Sequence, residues 1–357
     1  MDLIERSRAA AKAAEDRGDW LTAQELFVRL SLLTEEEGTF KDDVRREQRR
    51  LAMIRLYAPE RFWELRNARR NAEIEFNRVH RKTDETGKAE GAQADDNRPL
   101  PPYNPIGDDF REKLRGVDRE LVRKALAQGF LRHVERTPME KMLREVIGSV
   151  RTLATTEDLK GVFPALGDAA RRSAMLETLD ELDRRVREMA EPASIGDLDR
   201  IMDRLVEANA RTLQLPEFVL MHEIGNGGMD ALDEFSGIIW PDEMRRFQRT
   251  TQGRFFGVGV QIEQDPLQNI RVVTPIEGTP AQRAGIQRDD IIKKVNGNST
   301  VGFTLDQAVD NITGPKGTPV TITVEREVLG EDGQSTRKEI EFRLVRDEVP
   351  IQAVTAG

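Results

Sequence analysis

Gly257-Val258-Gly259-Val260 is a glycine-containing loop set directly before an alternating strand. Consecutive backbone N–H groups in such a loop converge and bind an anion without charged side chains. A peptide C-terminus is such an anion, and the following strand can pair with the rest of the peptide by β-addition. Val258, Gly259 and Val260 are the expected donors. Phe256 leads into the loop, Gly257 permits the turn, and Gly259 leaves room for the end of the ligand. Leu305, Val309 and Ile312 stand at i, i+4 and i+7 of a helix and form an apolar wall, which Ile262 closes from the strand. Such a pocket takes small or aliphatic C-terminal residues. The two glycines would also suit a plain strand bulge. The strand–helix order downstream, with turns at Gly285 and Asn296-Gly297, favours the peptide site.

Other groupings carry less chemistry. His222-Glu223 begins like a zinc-protease helix, but Asn226 stands where the second histidine is needed. With three histidines and no cysteine in the chain, no metal or other cofactor is expected. Asp289-Asp290 falls at a turn into a strand, where capping and solvation explain it. Gly225-Asn226-Gly227-Gly228 and Gly314-Pro315-Lys316-Gly317-Thr318 lack the context of a phosphate loop and read as linker and turn. Arg45-Arg46, Arg49-Arg50 and Arg184-Arg185 are balanced by acids and read as solvated helix faces.

The 357 residues suffice for two or three domains. One third is charged (33%) and only 5% aromatic, which suits long solvated helices. Net charge is −9 with basic and acidic residues interleaved, which argues against a nucleic-acid partner. No stretch is long and apolar enough for a transmembrane helix, and Met1 to Arg6 opens no signal peptide.

Helical periodicity runs over residues 3–17, over a second helix after Gly18-Asp19-Trp20, over Lys41 to Tyr57 and over Arg61 to Arg81. The first pair resembles one unit of a tetratricopeptide array, but with a single copy in the chain an ordinary helical hairpin is the favoured reading. Residues 1–81 are therefore expected as a helical hairpin region and 82–107 as a disordered linker with prolines from Pro99 to Pro105. Residues 108–240 form a second helical segment, with Asp197 as a cap. Beyond Gly228 the period drops to 2. Strands are expected at Gly257 to Gln264, Asn269 to Thr274, Ile291 to Asn296, Val320 to Glu327 and Lys338 to Val345. Between them lie a short helix opened by Thr279-Pro280 and a second from Leu305 to Thr313 with a Thr304/Gln307 capping box. Glu331-Asp332-Gly333-Gln334 is the expected hairpin turn.

Gly278-Thr279-Pro280-Ala281, Ala284-Gly285-Ile286 and Asp289 to Gly297, placed after the Gly257 loop, resemble a PDZ domain, here 241–347. The preceding Gly228-Met229-Asp230-Ala231-Leu232-Asp233-Glu234-Phe235-Ser236, then Pro241-Asp242-Glu243, Phe247 and Thr251-Gln252-Gly253-Arg254-Phe255, resemble the C-terminal-processing (tail-specific) serine peptidases. Glu234 departs from the family's usual proline. The resemblance covers about a third of the chain. It implies an α+β fold, a helical region followed by a small, partly open barrel with two helices. It also implies capture of protein C-terminal tails for cleavage by a serine nucleophile and lysine base in a later domain. No such Ser/Lys segment occurs here, and Ser236 reads as structural. Residues 348–357 are expected to lead to that domain, and the chain alone is not expected to cut. Arg254 and Arg271 are charged positions that could couple tail binding to a protease core, but plain surface arginines are the favoured reading. The alternative is a stand-alone scaffold whose helices bind one partner and whose PDZ binds another. The resemblance implies the bacterial periplasm or cell envelope, and self-association is left open.

Overall fold

A computed structural model describes residues 3–34, 39–80, 99–233, 235–244, 255–265, 268–329 and 335–349. The expected linker residues 82–98, Glu234, Phe247, Thr251 to Arg254, the Glu331–Gln334 turn and the tail from 350 lie outside the described residues. The chain is α+β and divides into two compact units. One comprises Met1–Arg66 with Asp108–Met244, the other Asn67–Gly107 with Arg245–Gly357.

The first unit is helical. Its elements are α1 (Leu3–Asp16), α2 (Trp20–Leu33), α3 (Lys41–Tyr57), the first part of α4 (Pro59–His80), α5 (Phe110–Lys113), α6 (Arg119–Arg132), α7 (Met139–Ala154), α8 (Ala169–Arg187), α9 (Ile195–Arg211) and α10 (Glu217–Asp230). The two helical stretches share one core rather than folding apart, since Ile54 and Tyr57 are buried with Leu126, Leu143, Ile147, Met202 and Leu220. Asp19 caps α2, accepting from the Thr22 N–H at 3.3 Å. At α9 the cap is Ser194, not Asp197. Asp197 sits three residues in and accepts from the Ser194 N–H at 2.9 Å, completing a capping box. Those Ser194 hydrogen bonds, with Arg200 beside them, hold the Asp197 carboxyl down to about 2.

Gly225 to Gly228 are not a linker. They lie inside α10. A β-carbon on Gly227 would lie 2.7 Å from the Glu145 carbonyl oxygen of α7, and one on Gly228 would lie 2.4 Å from Leu126 of α6. The glycines let three helix backbones approach, and the buried contact outweighs their low helix propensity. His222 and Glu223, on the same helix, are core residues. The Tyr57 hydroxyl donates to Glu223 Oε1 at 2.5 Å, and His222 Nδ1 is 2.9 Å from that oxygen. Trp240 Nε1 donates to Asn226 Oδ1 at 3.1 Å. Arg49 and Arg50 are also not solvated. Arg49 bonds Asp230 and Glu145, and Arg50 lies 4.3 Å over the Trp20 ring.

The second unit carries the strands. These are β1 (Phe255–Gly257), β2 (Val260–Gln264), β3 (Ile270–Pro275), β4 (Ile291–Val295), β5 (Asn298–Ser299), β6 (Pro319–Leu329), β7 (Ser335–Val345) and β8 (Asp347–Val349). Two helices interrupt them, α11 (Pro280–Ala284) and α12 (Leu305–Ile312). The main sheet runs β2-β3-β4-β6-β7 with β5 on β4, and β1 pairs antiparallel with β8 as a separate ribbon. Val258, Val272, Ala281, Ile292, Ala308, Ile322 and Val324 fill its core. The Thr304/Gln307 capping box opens α12, and Gly285 ends α11 at φ +87°. Asp290 is buried rather than solvated. Arg326 grips both its oxygens at 2.7 Å, and it accepts from the Gln287 N–H at 2.8 Å. The proline-containing end of the expected linker is packed on this unit. Asn104 is buried and bonds the Ser299 and Val301 carbonyls.

Candidate peptide-binding site

The loop between β1 and β2 turns its carbonyls into the domain. Phe256 O accepts from the Gly314 N–H at 3.3 Å, and Val258 O accepts from the Ala281 N–H at 2.8 Å. Gly259 O accepts from the Ile276 N–H at 2.8 Å and from Thr279 Oγ1 at 3.1 Å. The N–H groups of Val258 and Gly259 donate to no acceptor among the described residues. A loop with its acceptors tied down and two adjacent donors left over is suited to an anion.

Gly259, not Gly257, supplies the unusual backbone. Its φ is +78°, while Gly257 is not left-handed. The missing side chain at 259 makes room for Thr279 rather than for a ligand, since a β-carbon would fall 2.3 Å from Thr279 Cβ. Val258 is fully buried and Val260 partly so, which anchors the loop from both sides.

The strand β2 pairs with β3 alone among the described strands, so its other side is an open edge. Register slips between Gln261 and Ile262. Ile262 packs partly into the core. The helix α12 lies beside β2. Leu305 and Val309 are 38% and 37% exposed, whereas Ile312 is only 4% exposed and belongs to the core with Ala308. Leu305 and Val309, four residues apart on one face, are therefore the exposed apolar pair of α12, and Ile312 holds the helix from behind. The loop meets the C-terminal end of α12, where a β-carbon on Gly257 would touch Thr313 at 3.5 Å.

Sequence reasoning passed over two residues. The sequence marks Thr279 only as the start of a helix, yet its hydroxyl reaches Gly259 O and Ile276 O. Arg346 is buried, and its guanidinium donates to Asn311 O and Ile312 O at 2.9 Å each and to Pro319 O at 2.9 Å. A cation against the last carbonyls of α12 satisfies groups the helix cannot. Burial lowers its pKa from the ordinary value. Nothing in its sequence surroundings marks it out from other arginines.

Arg271 is held in surface ion pairs with Glu263 and with Asp289, the latter at 3.1 Å. Arg254 lies outside the described residues. Ser236 hydrogen-bonds Asp233, a carboxylate that also meets His133 Nε2 at 2.9 Å. No group of three metal-ligating side chains exists among the described residues. No described helix is long and apolar enough to cross a membrane.

Residues 246–325 match the PDZ domain family. The carboxy-terminal-processing protease of Bartonella bacilliformis is 36% identical over 129 residues, which are 36% of this chain and 28% of that protein. A probable CtpA-like serine protease of Staphylococcus aureus is 35% identical over 113 residues, 32% of this chain and 23% of that protein. The chain thus spans about a quarter of the length of these curated relatives. Among solved structures, the PDZ domain of a Vibrio cholerae carboxy-terminal protease in complex with peptide is 27% identical, with 28% of this chain and 99% of that one covered and a TM-score of 0.23. The photosystem II D1 C-terminal processing protease is 21% identical, with 52% and 45% covered and a TM-score of 0.27. This chain carries a PDZ domain related to those of carboxy-terminal-processing proteases.

Proposed function

We propose that this chain captures the C-terminal tails of proteins in the groove between β2 and α12, as the recognition part of a C-terminal-processing serine protease. The observation that supports it most is the pair of undonated N–H groups at Val258 and Gly259, beside an unpaired strand edge and an exposed aliphatic pair. The carboxylate takes the loop N–H groups. The tail adds antiparallel to β2, and its last side chain lies against Leu305 and Val309. Cutting is assigned to a Ser/Lys pair elsewhere in such a protease, because a serine without a base in reach is a poor nucleophile. One strand addition and one pocket make a small interface, so single tails bind modestly.

Leu305→Lys and Val309→Lys test the wall. Both positions are more than a third exposed, so the substitutions leave the core intact. Affinity for a peptide ending in an aliphatic residue should fall at unchanged melting temperature. Equal affinity in both variants would remove α12 from the site.

A further inference from the structure

The helix α12 is eight residues long, too short to hold its place by its own hydrogen bonds. Ala308 and Ile312 seat its inner face, and Arg346 fixes its C-terminal end. Its N-terminal end is fixed by residues far upstream in sequence. Asn104 is 9% exposed. Its Nδ2 donates to Val301 O at 2.8 Å and to Ser299 O at 3.0 Å, residues 197 and 195 positions away. Its Oδ1 accepts from the Ile106 N–H at 3.2 Å. Gln307, in the first turn of α12, donates through Nε2 to Ile106 O at 2.8 Å, and its Oε1 accepts from the Thr304 N–H at 2.8 Å. One carboxamide thus serves both the helix cap and the upstream segment.

The fit continues on either side. The Ile106 side chain packs against the core of the PDZ unit. Gly302 sits at φ +82°, and a β-carbon there would fall 2.1 Å from the Pro102 carbonyl oxygen. From the opposite direction, Gln264 at the end of β2 donates to Phe303 O at 3.1 Å. The 301–304 loop that starts α12 is therefore held between β2 and the 102–106 segment. Pro101, Pro102 and Pro105 restrict that segment before it docks, which reduces the entropy lost on ordering it.

We propose that residues 101–107 are a strap that sets the position of α12 and with it the width of the peptide groove, Asn104 and Gln307 acting as positioning residues for tail binding. The binding module is then discontinuous in sequence. The 246–325 stretch that matches the PDZ family lacks the strap, and the helical segment from 108 to 244 is inserted between the two pieces. The inference rests on the tail-binding reading above.

Two nearly isosteric substitutions in the full chain test it. Asn104→Asp keeps an acceptor for the Ile106 N–H and loses the donor to Ser299 O and Val301 O. Gln307→Glu keeps the acceptor that completes the capping box and places a carboxylate oxygen against Ile106 O. The probe is a peptide with an aliphatic C-terminal residue and a free carboxylate, and amide exchange is followed at residues 304–309. Each variant should weaken the peptide about tenfold, the size expected from losing one buried donor. Exchange at the start of α12 should accelerate. The double variant should be little worse than either single one, because both break the same strap. Unchanged affinity in both variants with faster exchange would reduce the strap to a structural brace and overturn the proposal. Unchanged exchange would overturn it too, since α12 would then be held without the strap. Failure of the unsubstituted chain to prefer a free carboxylate over an amide is a separate result. It would count against the tail-binding reading itself, while the exchange data would still report on the strap.

Discussion

Gly259 and Thr279 interlock. The glycine has φ +78°, its carbonyl accepts from the threonine hydroxyl at 3.1 Å, and a β-carbon on it would lie 2.3 Å from Thr279 Cβ. The loop that offers the free N–H groups is therefore shaped from behind, by a residue twenty positions downstream.

Gly259→Ala should deform that loop. The left-handed backbone costs a β-carbon about 1–2 kcal/mol, and overpacking against Thr279 adds about 1–3 kcal/mol. Peptide affinity should be lost and the melting temperature of the PDZ unit lowered, by calorimetry on the same sample. Tight peptide binding in this variant would show that the loop geometry is not what receives the tail.

Much of the organisation is legible in the sequence. The α3 helix, Lys41–Tyr57, follows directly from its apolar spacing, and Thr304/Gln307 marks α12 because capping is a local affair. The misreadings share one cause. Gly225 to Gly228 look like a break, and Pro99 to Pro105 like a spacer, when only local preference is weighed. Both are decided by what packs against them, Glu145 and Leu126 in one case, Ser299 and Gln307 in the other. The same holds within the site. Spacing puts Leu305, Val309 and Ile312 on one face, but only the packed structure separates the exposed pair from the buried third.

Gly227→Ala gives a second check, in the helical unit. Alanine raises helix propensity by about 1 kcal/mol, yet its methyl group would meet Ser149 Cβ at 2.6 Å and the Glu145 backbone oxygen at 2.7 Å. Backbone cannot yield as a flexible side chain does, so overpacking of about 1–3 kcal/mol should prevail. A lower denaturation midpoint is expected. A higher one would mean that α7 and α10 are not in such close contact.

Tyr57→Phe should destabilise the helical unit by about 1–3 kcal/mol at pH 7, because Glu223 loses a buried donor. Its pH dependence carries a sign. Burial, with the Glu223 carboxylate beside it, pushes the Tyr57 hydroxyl well above its ordinary value of 10.0. The folded state thus holds a proton that the unfolded chain releases first. That contribution is fully present below about pH 10 and is lost as pH rises from there toward the folded value. The wild type should lose stability above pH 10 more steeply than Tyr57→Phe. Parallel curves in urea titrations at pH 9 and 11 would contradict the buried hydrogen bond.

Asp290→Ala should cost about 1–3 kcal/mol, because the Gln287 N–H loses its acceptor and the part-buried Arg326 loses its carboxylate. Arg326 would keep only the Gly285 carbonyl, at 2.8 Å, as its partner on that side. Urea unfolding of the PDZ unit measures the loss. A change under about 1 kcal/mol would place Asp290 at the surface after all.

In the tail-binding reading the Val258 and Gly259 N–H groups receive a peptide carboxylate. Isothermal titration of the full chain with one aliphatic-ended peptide, once as the free acid and once as its C-terminal amide, tests this most directly. The acid should bind at least about tenfold more tightly, since the amide removes the charge that the loop donors would meet. Equal affinities, or a tighter amide, would contradict it.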